Sequence, residues 1–233
     1  MKIAGLVRSS LIDYPGKVAA VVFTQGCNFR CGFCHNPDLV SPQFPENSKK
    51  FSENEIIDFL ATRVGKLDGV VITGGEPLIQ PDIEDFIFKI KKLGFRVKLD
   101  TNGSNPEKLS QLIAKKLIDY VAMDIKGSLA KYNEICAYPN TKVIQRSINI
   151  IMKSGLDYEF RTTVLPKFHE TSDFKEIGKL IKGANLYTIQ GFRPQITLDS
   201  QLASEKPFTH DDLQRFSDII APYVQKVVIH ANQ

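Results

Sequence analysis

The sequence predicts an α/β fold in which parallel strand-helix repeats form a partial (β/α)6 TIM-like barrel. Three observations support this prediction: short β-branched runs recur along the chain, helical patterns separate them, and several runs are continuously apolar, as in strands covered on both faces. A chain of 233 residues, 42% of them hydrophobic, can bury one sizeable core. We therefore expect a single domain over residues 1–233.

Seven runs have the composition of strands. In chain order they are VAAVVFT (Val18–Thr24), GVVIT (Gly69–Thr73), FRVKLD (Phe95–Asp100), DYVAMDI (Asp119–Ile125), DYEFRTTVL (Asp157–Leu165), NLYTIQGF (Asn185–Phe192) and KVVIH (Lys226–His230). A polar or glycine-rich cluster follows each of the first six. Because the carboxyl ends of parallel strands share one rim, where ligands bind, these distant clusters are expected to converge on one site.

Helical segments between the runs carry start and stop signals. Capping-box or N-cap patterns begin three of them, at Ser52 with Glu55, at Asn105-Pro106-Glu107 and at Thr209 with Asp212. One segment has an apolar stripe that Gly94 should end, formed by Ile83, Phe86, Ile87, Ile90 and Leu93.

The charge balance argues against a nucleic-acid partner. Thirty Lys and Arg residues stand against twenty-six Asp and Glu, and the lysines are scattered along predicted helix faces, as on a solvated surface. The first residues lack an apolar segment of signal-peptide length, and no later run of about eighteen apolar residues could span a bilayer. We expect a cytoplasmic protein without membrane contact.

The stretch GCNFRCGFCHNP (Gly26–Pro37) holds three of the four cysteines, Cys27, Cys31 and Cys34. In a reducing cytoplasm such a cluster favours metal binding or redox chemistry over structural disulfides. Its letters CGFCH match a c-type haem attachment motif, but haem attachment would normally imply export and a short helical protein. A thioredoxin-like pair would leave Cys27 unexplained.

Zinc and an iron-sulfur cluster remain as candidate ligands of the cysteine loop. Zinc could use the three cysteines with His35 or Cys136, yet structural zinc usually pairs two short ligand knuckles and this chain has one. A 4Fe-4S cube is ordinarily held by four thiolates, so three cysteines would leave one iron open for a bound molecule. The spacing favours the cluster. The fourth cysteine, Cys136, is expected to be a small buried residue, and a role as fourth ligand is less favoured.

The C-x3-C-x2-C loop, with Phe33 before its last cysteine and GGEP (Gly74–Pro77) about forty residues later, resembles the radical S-adenosylmethionine superfamily. Within it, the segments LIDYPGKVAAVVFTQGCNFRCGFCHNP, TGGEPL, LDTNG and AMDIKG together resemble the glycyl-radical-enzyme activases. They are most similar to the anaerobic ribonucleoside-triphosphate reductase activating proteins. The likeness covers nearly the whole chain and is strongest from Leu11 to Lys126.

The resemblance implies a 4Fe-4S cluster on Cys27, Cys31 and Cys34, with S-adenosylmethionine on its open iron. Reductive cleavage of that cofactor would give a 5′-deoxyadenosyl radical, which abstracts hydrogen from a glycine of a large partner enzyme. It implies no catalytic side chain beyond the cluster and its bound cofactor. The implied S-adenosylmethionine contacts are Phe33, Gly74, Gly75, Glu76, Asp100, Thr101, Asn102, Asp124, Lys126 and Arg161.

A monovalent cation is a possible third component. Asp100, Thr101 and Asp124 match positions that hold such a cation in the pyruvate formate-lyase activating enzyme. The resemblance also implies that Lys126 and Arg161 neutralise the carboxylate of the cofactor.

The implied partners are the anaerobic ribonucleotide reductase, which is a glycyl radical enzyme, and a low-potential electron donor such as a flavodoxin or ferredoxin. Two alternatives stay open. A member of the same superfamily acting on a small molecule, such as a 7-carboxy-7-deazaguanine synthase, would need no partner protein. A zinc-stabilised binding module would be colourless and would cleave no cofactor.

Overall fold

A computed structural model describes residues 1–231, and Asn232 and Gln233 of the predicted domain lie outside the described residues. In the described range the strands form an eight-stranded, mostly parallel sheet whose strand order follows the chain. The predicted α/β class is confirmed, and the sheet is consistent with a partial (β/α)6 TIM-like barrel. By its internal contacts the chain divides into two compact units, the first of residues 1–28, 38–121 and 154–157 and the second of residues 29–37, 122–153 and 158 onward.

Strands and helices alternate along the chain after an initial pair of strands. The strands are β1 (Ile3–Ser10), β2 (Ala19–Thr24), β3 (Gly69–Gly74), β4 (Arg96–Thr101), β5 (Tyr120–Asp124), β6 (Asp157–Val164), β7 (Tyr187–Gly191) and β8 (Val227–His230). The α-helices are α1 (Glu53–Ala61), α2 (Ile83–Lys92), α3 (Pro106–Ala114), α4 (Tyr132–Cys136), α5 (Thr141–Met152), α6 (Thr171–Leu180) and α7 (His210–Ile220). Within residues 1–231, no helix has both the length and the apolar character needed to cross a bilayer.

The first unit contains an edge strand that the sequence did not predict. β1 runs antiparallel to β2, with Ile3 opposite Thr24 and Ser10 opposite Ala19. Its residues from Val7 to Ser9 are exposed, Ile3 is its only buried residue, and Gly5 and the polar end RSS weaken its strand pattern. An edge strand that is partly solvated does not need the pattern by which the seven other strands were recognised.

The remaining strands of the first unit run in parallel. Val21 of β2 pairs with Val71 of β3, and Val71 pairs with Lys98 of β4. A buried lysine therefore occupies a central position of β4, between Val97 and Leu99, which are also buried.

The helices of the first unit follow the predicted signals. Ser52 and Glu55 form the capping box of α1, and Asn105 caps α3 by accepting the backbone N–H of Lys108. Gly94, with a φ of +90°, lies just after the end of α2. The predicted stripe of α2 is buried at Ile83, Phe86, Ile87 and Ile90, and half-buried at Leu93.

The second unit contains the parallel strands β6, β7 and β8, in which Tyr187 pairs with Phe160 on one side and with Val227 on the other. Helices α6 and α7 pack through Phe174 and Phe216, whose stacked rings lie 4.1 Å apart between centroids. The predicted capping box of Thr209 and Asp212 begins α7.

Candidate functional site

The first cysteine follows β2 in the first unit, where the chain is held by the GGEP turn. Gly26 has a left-handed φ of +98° and donates its N–H to the carbonyl of Leu39 at 2.8 Å. A Cβ at Gly75 would overlap the carbonyl oxygen of Gly26, to which the N–H of Glu76 donates at 2.8 Å. Only glycine permits this close approach of two backbones. The turn therefore fixes the segment that leads into Cys27.

Gly74, at the end of β3, has a similar constraint. Its φ is +120°, and a Cβ there would lie 2.5 Å from the carbonyl oxygen of Thr24. Gly74 and Gly75 are both half-buried rather than enclosed, so part of their backbone is accessible. The two glycines therefore allow the close packing of the backbone, and their main-chain groups remain accessible to a ligand.

Glu76 is fully buried and joins two of the sequence motifs. Its Oε1 accepts the N–H of Leu78 at 3.0 Å and the hydroxyl of Thr101 at 2.8 Å. Its Oε2 accepts the N–H of Asn102 at 2.6 Å. A carboxylate that accepts several donors fixes their positions strongly, because each donor to an ionised oxygen makes a charge-assisted hydrogen bond. Glu76 thus holds the DTNG segment against the GGEP turn.

Asn102 connects this network to the first cysteine. Its Nδ2 lies 3.9 Å from Cys27 Sγ and donates to Asn28 Oδ1 at 3.0 Å. Its Oδ1 accepts the N–H of Ser104 at 2.9 Å. In the first unit the structure therefore brings together Cys27, Glu76, Thr101 and Asn102 of the predicted set.

Asp100 is paired with a buried lysine, Lys98, that is not among the predicted site residues. The Nζ of Lys98 lies 2.6 Å from Asp100 Oδ1, and the Lys98 side chain is only 2% exposed. The signal was present in FRVKLD, because residues two apart on a strand share a face. Lys98 was overlooked because lysines elsewhere in the chain suit a solvated surface.

Gln25, also missed, holds the segment that follows the cysteines. It is buried, and its Nε2 donates to the carbonyls of Asp38, Ser41 and Gln43 at 2.8, 2.7 and 3.2 Å. One side chain therefore replaces regular secondary structure in fixing part of this proline-rich stretch. The residue before Gly26 gave no sequence signal for this role.

The second unit contains the other two cysteines of the loop. The N–H of Cys34 donates to the carbonyl of Cys31 at 3.1 Å, which closes a turn between the two thiols. Within that turn the carbonyl of Gly32 accepts the N–H of Asp199 at 2.9 Å. The ring of Phe33 is buried, with its centroid 6.2 Å from that of Phe168.

Cys136 supports this part of the loop. It is fully buried at the end of α4, its thiol donates to the carbonyl of Tyr132 at 3.0 Å, and its carbonyl accepts the N–H of Arg30 at 2.9 Å. A hydrogen bond with the Cys136 thiol, together with burial, raises the pKa of Cys31 well above its ordinary value. Burial also raises the pKa of Cys34. Thiolates are the form that binds metal, so cluster assembly must displace these protons.

Asp124, Lys126 and Arg161 form a charged group in the second unit. The Lys126 Nζ lies 3.0 Å from Asp124 Oδ2, and the Arg161 Nε lies 2.9 Å from Asp124 Oδ1. Burial raises the pKa of Asp124, but Lys126 and then Arg161 outweigh it and hold that pKa well below its usual range. Burial likewise opposes the charge on Lys126, and Asp124 more than compensates, so the pKa of Lys126 is raised. The group stays fully charged at neutral pH.

His169, which is not among the predicted site residues, fixes the backbone of Lys126 in this group. The ring is buried; its Nε2 lies 2.9 Å from the carbonyl of Lys126, and its Nδ1 lies 3.3 Å from the N–H of Leu165. These distances fit a neutral ring that donates from Nε2 and accepts at Nδ1. Burial lowers the pKa of His169, which favours that neutral form. Nothing in TVLPKFHE distinguishes this histidine from a surface residue.

The donor set fits an iron-sulfur cluster in its chemistry. Cys27, Cys31 and Cys34 are thiols rather than disulfides, and thiolates are the ordinary ligands of such clusters. No three Cys, His, Asp or Glu side chains of residues 1–231 are gathered as a ready-made metal site.

Sequence comparison links the chain to one superfamily. The family model described as Radical SAM superfamily matches residues 21–181. A protein of Methanocaldococcus jannaschii, provisionally named a glycyl-radical enzyme activating enzyme, is 36% identical over 236 residues, which cover 97% of this chain and 95% of that protein. The pyruvate formate-lyase-activating enzyme of Staphylococcus aureus strain USA300 is 33% identical over 142 residues, 57% of this chain and 56% of that enzyme.

Solved structures show the same fold. SuiB of Streptococcus suis has a TM-score of 0.68 at 14% identity over 91% of this chain, and SuiB bound to S-adenosylmethionine has a TM-score of 0.68 at 15% identity over 90%. The chain spans about half the length of SuiB, 48% in both structures. QueE from Escherichia coli has a TM-score of 0.56 at 14% identity, covering all of this chain and 93% of QueE. At such identities the likeness concerns the fold alone.

Proposed function

The chain belongs to the radical SAM superfamily as a glycyl-radical-enzyme activating enzyme, and we propose that the enzyme it activates is an anaerobic ribonucleoside-triphosphate reductase. Membership implies a 4Fe-4S cluster and S-adenosylmethionine. The choice of reductase rests on the resemblance of the cysteine loop and of the TGGEPL, LDTNG and AMDIKG segments to activating proteins of that group.

The ligands we assign to the cluster are Cys27, Cys31 and Cys34. When bound, the cluster would supply a low-potential electron, and S-adenosylmethionine would supply the sulfonium whose cleavage gives a 5′-deoxyadenosyl radical. The chain contributes the binding and orientation. The residues that we assign to S-adenosylmethionine are Phe33, Gly74, Gly75, Glu76, Asp100, Thr101, Asn102, Asp124, Lys126 and Arg161.

The observation that carries this assignment is the Glu76 carboxylate, which ties the GGEP turn to Thr101 and Asn102 while Asn102 reaches Cys27. Three separate sequence motifs are thereby joined by hydrogen bonds in one unit. Glu76 is buried and committed to these donors, so we assign it a positioning role. Gly74 and Gly75, which are more accessible, would present main-chain groups to the amino group of the cofactor.

An electron donor and reducing surroundings complete the proposal. A low-potential flavodoxin or ferredoxin would supply the electron, and the cytoplasm would supply the reducing conditions that free thiols and a cluster require. The resemblance also suggests a monovalent cation at Asp100, Thr101 and Asp124, but the carboxylates of Asp100 and Asp124 are already paired with ammonium and guanidinium groups.

The test is anaerobic reconstitution with iron and sulfide, followed by reduction in the presence of S-adenosylmethionine and the anaerobic reductase. We expect 5′-deoxyadenosine by chromatography and a glycyl radical signal by electron paramagnetic resonance. A reductase in which the radical-bearing glycine is replaced by alanine is the control and should give no glycyl signal.

Three outcomes separate the hypotheses. Absence of 5′-deoxyadenosine would contradict the reaction. The same reaction is run with pyruvate formate-lyase in place of the reductase. Cleavage of the cofactor with a radical on pyruvate formate-lyase, and none on the reductase, would identify pyruvate formate-lyase as the target instead. Cleavage without a radical on either protein would favour a small-molecule substrate.

A further inference from the structure

The two carboxylates expected to hold a monovalent cation already have fixed positive partners. In the first unit, the ammonium of Lys98 lies 2.6 Å from Asp100 Oδ1. The Asp100 side chain is 14% exposed and that of Lys98 is 2% exposed, so solvent screens the pair weakly. The Lys98 Nζ also lies 5.8 Å from the centroid of the Tyr120 ring, within the range of a cation-π contact.

The Lys98 side chain is buried, so bulk water cannot hydrate its ammonium group. A compact ammonium group is strongly hydrated, and its burial is tolerated only when a carboxylate or other acceptors replace the lost water. Lys98 and Asp100 are two residues apart on β4 and so share one face of the strand. The backbone of β4 therefore holds the ammonium beside the carboxylate.

The second unit shows the same arrangement with two cations. Asp124 accepts from Lys126 at 3.0 Å through one oxygen and from Arg161 at 2.9 Å through the other. The N–H of Lys126 is fixed by the Tyr132 hydroxyl at 3.1 Å, and its carbonyl by His169. Both oxygens of Asp124 thus accept from cationic donors, and the backbone of Lys126 is anchored.

We propose that Lys98 supplies to Asp100, in the first unit, and that Lys126 and Arg161 supply to Asp124, in the second unit, the positive charge that a monovalent cation would bring, so that the enzyme works without one. The inference rests on the proposed function, because Asp100 and Asp124 are among the residues assigned there to the cofactor. A monovalent cation about 4 Å from the Lys98 ammonium, in surroundings of intermediate dielectric, would be repelled by it. This repulsion would weaken binding of the cation roughly a thousandfold. Lys98 is a positioning residue in this proposal.

Thallium(I), a K⁺ substitute visible by nuclear magnetic resonance, tests the proposal on the full-length protein before and after reconstitution. We expect no bound-state shift of the 205Tl signal at millimolar concentration in either form. In the reconstituted protein, the dissociation constant of S-adenosylmethionine should agree within about twofold between potassium chloride and tetramethylammonium chloride. A saturable 205Tl shift in the wild-type protein would overturn the proposal.

Removing the positive charge of Lys98 should make the protein depend on a monovalent cation. Lys98→Met keeps the side-chain length and leaves Asp100 without its ammonium, so this variant should bind Tl⁺ and should bind S-adenosylmethionine at least tenfold more tightly in potassium than in tetramethylammonium. Adding Asp100→Asn should abolish both effects. The matched control is Lys91→Met, which removes a lysine paired at 2.7 Å with Asp119 at a more exposed position. A folded Lys98→Met variant without any cation response would contradict the proposal.

The wild-type titration needs no variant, so the proposal stays testable if Lys98→Met does not fold. Cation binding by the cluster-free chain is also independent of the reductase. A protein that binds no Tl⁺ but activates no glycyl radical enzyme would refute the proposed function and leave the charge assignment standing. Activation that requires potassium would refute the charge assignment alone.

Discussion

The side-chain amide of Asn102 lies against the sulfur of Cys27, with 3.9 Å between Nδ2 and Sγ. The amide is held in place, because its Oδ1 accepts the N–H of Ser104 and the backbone N–H of Asn102 donates to Glu76. A donor beside a cluster sulfur stabilises the more negative, reduced state and so raises the reduction potential.

Replacing Asn102 with alanine should therefore make the cluster potential more negative. A hydrogen bond of about 1 kcal/mol that favours the reduced state corresponds to roughly 40 mV for one electron, which sets the upper limit for this long contact. The measurement is a redox titration of the reconstituted protein followed by electron paramagnetic resonance. Ser104→Ala, which keeps the backbone donor to Asn102, is the control. A potential that stays the same or rises in Asn102→Ala would show that the amide does not act on the cluster.

Gly75→Ala should destabilise the protein even without cluster or cofactor. The new Cβ would overlap the carbonyl oxygen of Gly26 and press on that of Leu39 at 2.8 Å. Such overpacking typically costs about 1–3 kcal/mol or more. Gly5→Ala is the matched control, because its nearest neighbour is a Phe23 side-chain atom at an ordinary 3.4 Å. Equal free energies of unfolding in urea for the two variants would contradict the close approach.

Glu76→Gln should loosen the DTNG segment. The carboxylate accepts from the N–H of Leu78, the hydroxyl of Thr101 and the N–H of Asn102, and a glutamine would turn an NH2 group toward at least one of these donors. An unsatisfied buried polar group costs about 1–3 kcal/mol. Urea unfolding of the cluster-free chain measures the loss, with the partly exposed Glu84→Gln on α2 as control. A stable Glu76→Gln variant would mean that the network is not a structural element.

Cys136→Ala should keep the cluster, whereas alanine at Cys27, Cys31 or Cys34 should remove it. Cys136 contacts Tyr132 through its thiol and Arg30 through its carbonyl, and the substitution leaves the carbonyl in place. The small cavity should lower the free energy of unfolding by about 1 kcal/mol. Iron and sulfide analysis after reconstitution is the measurement. Loss of iron in a folded Cys136→Ala protein would instead identify a fourth ligand.

His169 should make the protein less stable as the pH falls. The pKa of the buried ring is lowered, so below the unfolded-state pKa of about 6.5 the unfolded chain binds a proton that the folded chain resists. This contribution is fully present above that pH and is lost as the pH falls, with a slope of at most about 1.4 kcal/mol per pH unit for one proton.

The comparison is with His169→Gln, which keeps a donor for the Lys126 carbonyl but does not titrate. Between pH 7.5 and 5.5 the free energy of unfolding should fall less steeply in the variant than in the wild type. Parallel curves would contradict a buried neutral histidine.

The sequence was a good guide to the buried strands and to the motifs that follow them. The seven strands that it predicted are present, and those with continuously apolar runs, such as β2 and β3, are the ones whose burial the sequence reports directly. β1 was missed because it lies at the sheet edge, where only one of its eight residues is buried. The helix starts at Ser52, Asn105 and Thr209 were predictable, because capping depends on neighbouring residues only.

Residues that act through distant partners were harder to predict. Unlike Lys98, whose partner Asp100 is two residues away on the same face of β4, His169 acts on the carbonyl of Lys126, forty-three residues away in the chain. Gln25 likewise acts on three carbonyls of a segment without periodicity. Such roles come from tertiary structure, which a local pattern does not contain.

The contact between Gly75 and Gly26 has a consequence for how relatives of this chain are recognised. Gly75 is required for two backbones to pass each other and Gly26 for its left-handed φ of +98°, whatever reaction the protein performs. A descendant that had lost its catalysis would still keep GGEP, because selection for folding alone would preserve it. The three loop cysteines are assigned to the cluster and take no part in this backbone approach, so they are the better marker of a surviving activity.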